Sequence, residues 1–246
     1  MTQFIPLLGV LRFQEKLKAP SLIAMAAAPV FTLLIYVYIR DKYEKEPWRL
    51  LLAGVFWGAA FAVPIIQTQN ALLRFAPPGG GVAAEAAFHA FILAALVEEG
   101  FKLIVSRSLT RRSLSFNERF DGVVYAAFVS LGFAGIENIM YVASPSLGGA
   151  ATALSRALFS VPAHAFFGVC MGYYTALSKF GENRRRDALK AFIYPFLLHG
   201  TYNFLLLSHA AGASLIFGVF SAFLWLLALR QMKIHLEASP FKKTVE

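Results

Sequence analysis

The chain has 246 residues, of which 58% are hydrophobic and only 15% charged, with a formal net charge of +9. A soluble domain of this size carries about 25% charged residues, so the composition excludes a water-soluble globule and indicates a membrane protein. The single cysteine, Cys170, excludes a disulfide within the chain and reads as a small buried packing residue.

Before the first long apolar run, Phe4, Leu7, Leu8 and Leu11 fall at i, i+3, i+4 and i+7, which predicts an interfacial helix in residues 1–20. Apolar runs then follow from Ser21 to Ile39, Leu50 to Gln67, Val82 to Val105, Gly122 to Ala143, Gly149 to Leu177, Ala191 to Leu207 and Ala213 to Leu229. Each approaches the roughly 20 residues a helix needs to cross the hydrocarbon. Continuous runs exclude the alternation of a membrane barrel, so the predicted fold is all-α, a polytopic bundle of about seven spans. The first run reads as a retained anchor and not as a signal peptide, since no cleavage-like site follows it. A single transmembrane domain over 21–230 and a cytoplasmic tail over 231–246 complete the expected organisation.

Basic residues sort by side. Arg40, Lys42, Lys45 and Arg49 follow the first run, Arg107, Arg111, Arg112 and Arg119 the third, and Lys179, Arg184, Arg185, Arg186 and Lys190 the fifth. The alternate loops carry little beyond Arg74. This is the positive-inside pattern, and it places the C-terminus in the cytoplasm. Arg12, Lys16 and Lys18 conflict with it at the N-terminus. The positive charge is thus a topology signal, and nucleic acid is not among the expected partners; the expected environment is the lipid bilayer of a bacterial cell membrane.

Polar groups inside the runs carry the functional signal: Glu98, Glu99 and Lys102 in the third, Glu137 and Asn138 in the fourth, His164 in the fifth, His199 and Asn203 in the sixth. A charge at the bilayer centre costs about 2.5–3.5 kcal/mol on insertion scales, so such residues mark function by default. At 1.5 Å per residue they fall in one slab near the midplane. His199 and Asn203, at i and i+4, share a face. Adjacent Glu98 and Glu99 point about 100° apart, so one lines a site while the other orients. Lys102 lies close enough in sequence to neutralise one of them, or it snorkels to the inner interface. Glu137 reads as a catalytic or ligating group, Asn138 as structural. Glu85 and His89 share the face of Glu99 nearer the outer surface.

Carboxylates and imidazoles can activate water, and an imidazole or amide can donate to an oxyanion. The same groups could hold one divalent metal such as zinc, through Glu99, Glu137, His164 and His199; the sequence leaves both schemes open. HExxH, the rhomboid GxSG and the presenilin GxGD are all absent, as is any phosphate loop.

Five motifs in order complete the reading: DKYEKEP from Asp41, EEGFK from Glu98, DGVVYAAFVSLGFAGIENIMY from Asp121, RALFSVPAHAFFGVCMGYY from Arg156 and LLHGTYNF from Leu197. Together they resemble the PrsW family of intramembrane proteases, related to the CAAX prenyl-endopeptidase and bacteriocin-processing superfamily. The resemblance implies cleavage of a membrane-anchored protein, such as an anti-sigma factor, as the first step of regulated proteolysis. It assigns the paired glutamates to Glu98 and Glu99, the central histidine to His164 and the last histidine to His199, with Asn203 at a position that is Asn or Asp in the family. The rival expectation is a proton- or ion-coupled transporter using the same buried groups. It is weakened by the absence of an internal repeat.

Overall fold

Hydrocarbon offers the backbone no hydrogen bonds, so every span must close its own ladder. The computed structural model describes residues 19–244 apart from 145, 147 and 209, and their regular structure is helical. The interfacial helix expected around Phe4 to Leu11 lies outside the described residues.

The first span is α1 (Ala19–Arg40). The second is broken into α2 (Trp48–Ala60) and α3 (Ala62–Leu72). Pro64 explains the break: it has no N–H to give the Ala60 carbonyl, and its ring crowds that carbonyl. The third begins as α4 (Gly81–Ala87), widens into π-helical turns over Phe88–Leu96 and ends as α5 (Val97–Thr110). The long α6 (Arg119–Ala143) is the fourth. The fifth repeats the design of the third, with α7 (Ala150–Ser155), a π-helical stretch Arg156–Ser160, then α8 (Val161–Phe180). The sequence ends in α9 (Arg184–Leu207) and α10 (Ala213–Glu237), the latter running into the residues read as tail.

Six of these runs are long and apolar enough to cross a membrane. The seventh, α9, falls short on composition: Arg184, Arg185, Arg186 and Lys190 load its first turns, and His199, Asn203, Pro195 and two tyrosines dilute the apolar remainder. It nonetheless packs along α8 and the first π-helical stretch, inside the bundle.

α6 and α8 form the buried centre, while α1, α2 and α10 present Phe31, Phe56, Val219 and Leu226 outward. Small residues let the two central helices touch. A Cβ at Gly122 would lie 2.7 Å from the Gly172 carbonyl oxygen, and one at Gly168 would lie 2.8 Å from the Ser130 Cβ. Ser130 Oγ adds a 2.6 Å hydrogen bond to the His164 carbonyl. Cys170 is buried in this centre, near Gln231 Nε2.

On the side where the basic loops gather, DKYEKEP folds under α6. Asp41, Glu46, Glu118 and Asp121 are all buried there. Asp121 Oδ2 accepts the Asn117 and Glu118 N–H groups at 2.8 and 2.7 Å, closing a capping box at the start of α6. The Tyr125 hydroxyl donates to Glu46, and Lys45 donates to the Tyr38 and Asp41 carbonyls. Through Glu46 and Tyr125 this cluster ties the loop between the first two spans to α6.

Candidate active site

Four helices deliver the polar groups of the spans to one buried spot. Glu98, Glu99 and Lys102 come from α5, His164 from α8, His199 and Asn203 from α9, and Glu137 from α6. The His164 and His199 rings lie 5.3 Å apart at 83°.

Donor logic fixes their chemical states. Lys102 Nζ lies 2.8 Å from Glu99 Oε1, 3.0 Å from His164 Nδ1 and 3.6 Å from Glu98 Oε2. An ammonium has only protons to give, so His164 Nδ1 accepts and the ring proton sits on Nε2. From there it reaches Glu137 Oε2 at 2.8 Å. Likewise His199 Nδ1–H donates to Glu99 Oε1 at 2.8 Å, which leaves its Nε2 bare. That nitrogen faces Asn203 Nδ2 at 3.1 Å and Glu98 Oε2 at 3.9 Å. Phe167 stacks on His199 with centroids 4.8 Å apart at 16°, and fixes the ring plane.

The two glutamates thus differ, as their 100° separation requires. Glu99 is tied by one oxygen to Lys102 and His199. Glu98 receives only a long 3.4 Å contact from Gln69 Nε2 at Oε1, and its Oε2 has no hydrogen-bond partner among the described residues. One donor atom each from Glu98, His164 and His199 lies within 4.8 Å of the others. A carboxylate oxygen without a hydrogen bond and two imidazoles form a donor set suited to a divalent metal. Such an ion would take the place of the Lys102 ammonium, which now lies 3.0 Å from His164 Nδ1 and 3.6 Å from Glu98 Oε2.

The sequence reading named Glu99, Glu137, His164 and His199 as ligands of a possible metal; the trio whose donor atoms converge is Glu98, His164 and His199, while Glu99 hydrogen-bonds His199 and Glu137 hydrogen-bonds His164. Lys102 does not snorkel: it is 2% exposed and sits inside the cluster. Glu85 and His89 are exposed. Sequence reasoning also passed over Arg156, whose signal was a lone charge inside an apolar run, and Gln69.

A polytopic helical bundle that concentrates paired glutamates and two histidines in its interior has the make-up of an intramembrane hydrolase. The comparisons make that class definite. The PrsW family intramembrane metalloprotease matches residues 46–229. Protease PrsW of Geobacillus kaustophilus is 41% identical over 214 residues, covering 87% of this chain and 91% of that protein. The proteins of the same name from Bacillus subtilis and Clostridioides difficile are 34% and 33% identical, over 87% and 89% of this chain and 94% and 93% of their own. No solved structure matches. The chain belongs to the PrsW family, and it is a multi-pass membrane peptidase.

Proposed function

We propose that the protein hydrolyses a peptide bond of a membrane-anchored protein of the anti-sigma-factor kind, with water activated by Glu98, His164 and His199, as the first cut of regulated proteolysis. The observation that carries this reading is the convergence of those three side chains with one Glu98 oxygen free of hydrogen bonds among the described residues. Glu98 takes the proton of the attacking water and passes it to the leaving amine. The Asn203 amide, beside His199 Nε2, donates to the oxyanion that develops on the scissile carbonyl. Glu99 and Lys102 hold His199 and His164 in the tautomers that leave one lone pair on each facing inward. A metal held by Glu98, His164 and His199 would supply Lewis acidity to the same carbonyl and water. The basic loops put the C-terminus in the cytoplasm.

Cleavage of a single-pass membrane reporter tests the reading, in cells and with purified enzyme. Removing a general base costs about 10²–10⁴ in rate. Glu98→Gln and His199→Ala, at normal protein levels, should therefore lose detectable product. Chelator should abolish cleavage by the purified enzyme, and zinc should restore it. Undiminished cleavage by both variants would end the mechanism, and full activity in a metal-free sample would end its metal version alone.

A further inference from the structure

We infer that Arg156 is a positioning residue of the site: it acts through Glu137 to hold the orientation of His164 and, jointly with Lys102 on the opposite nitrogen, its tautomer. The inference rests on reading Glu98, His164 and His199 as the active site. Arg156 is 8% exposed and lies about two turns inside one end of the span Ala150–Phe180, where a buried cation calls for a partner. Its guanidinium is held from three sides. Nη2 donates to Glu137 Oε2 at 2.8 Å, Nε donates to Asn138 Oδ1 at 2.8 Å, and Cζ lies 4.1 Å from the Tyr141 ring centroid. Asn138 is itself fixed, with Nδ2 donating to the Ala26 carbonyl of α1 at 2.7 Å.

The same Glu137 oxygen that takes the Arg156 proton takes His164 Nε2–H, also at 2.8 Å. Arg156 thus fixes where that oxygen stands, and that oxygen, with Lys102 at Nδ1 on the other side of the ring, keeps the His164 proton on Nε2. The planar fork suits this task because it grips Glu137 and Asn138 at once. The π-helical stretch Arg156–Ser160 makes the contact possible. Eight residues of uniform α-helix make about 2.2 turns and would rotate Arg156 away from His164; wider turns bring the two back toward one face. Ligand histidines are oriented by such outer partners, whose loss costs about 10–100-fold in metal affinity or activity.

The ¹⁵N resonances of His164 in the full-length, detergent-solubilised protein test this at one fixed pH, with the signal assigned by its loss in His164→Asn. The wild type should show a protonated Nε2 and a bare Nδ1. Arg156→Met and Glu137→Gln should each lose that pattern, and the double variant should add nothing to the single ones. Arg156→Lys should fall between, since one ammonium cannot grip both partners. With reporter substrate, kcat should fall about tenfold or more in Arg156→Met while KM holds. A wild-type pattern in Arg156→Met, or additive effects in the double variant, overturns the proposal. Should Arg156→Met fail to fold, a wild-type pattern in Arg156→Lys overturns it equally. Absence of cleavage by the wild type would overturn the hydrolase mechanism while the resonances still decide the role of Arg156.

Discussion

The ammonium of Lys102 touches Glu99 and His164 and lies within reach of Glu98, buried inside the bundle. An ion pair in such a place adds little net stability compared with apolar packing, but stripping one partner strands the other charge at about 3–5 kcal/mol. Lys102→Met should therefore lower the melting temperature of the purified protein sharply, and Lys102→Met with Glu99→Gln should recover most of the loss. Equal stability of the single variant and the wild type would refute the pairing. The spacing of Glu98, Glu99 and Lys102 made the neutralisation readable from sequence, since i+3 and i+4 neighbours share a helix face. The third partner was not readable. His164 stands 62 positions away on another helix, and no local rule predicts which nitrogen it turns toward the lysine.

Helix α8 shows what a repeating pattern reveals and what it conceals. Ser160, His164, Gly168 and Gly172 recur every four residues along the fifth span, and Gly168 and Gly172 lie against α6. A side chain at Gly172 would collide with the Gly122 carbonyl, and the two central helices would have to part. Overpacking of this kind costs about 1–3 kcal/mol. Gly172→Val should thus lower folded yield and melting temperature, and it should lower reporter cleavage by shifting His164, about two turns away on the same helix. A variant as stable and as active as the wild type would show that the close approach is dispensable. The rhythm runs back to Arg156 as well, but in a uniform helix eight residues leave Arg156 about 80° away from His164, so its role stayed concealed. Each π-helical stretch sits just before the site residues of its span, Phe88–Leu96 before Glu98 and Arg156–Ser160 before His164. Wide turns leave no mark in an apolar sequence, and so the facing of those side chains had to come from the structure.

Across the whole molecule, hydropathy and loop charge were enough to lay out the bundle, because lipid imposes span length and self-contained hydrogen bonding on any sequence. Neither rule says how buried acids at the basic-loop end are kept. Asp41 and Glu118 are pushed up to about 7 and Glu46 to about 9, in each case chiefly because burial penalises the charged form. Their ordinary values are 3.8 for Asp41 and 4.5 for the two glutamates. The folded state therefore binds more protons than the unfolded chain across the interval between, and stability falls as pH rises through it. The contribution is complete below about pH 4, is shed by Asp41 and Glu118 toward 7, and by Glu46 toward 9. Because this cluster binds the loop after α1 to the start of α6, its loss should loosen that end of the bundle first. Melting temperature in detergent should decline from pH 5.5 to 9.5, and hydrogen exchange should accelerate around Asp41 to Pro47 before it does around His164. Glu46→Gln removes the group with the highest value and should flatten the decline above pH 7. A melting temperature that holds steady over the whole range, or a Glu46→Gln curve parallel to the wild type, would mean that these carboxyls are charged and stabilised by contacts other than those described.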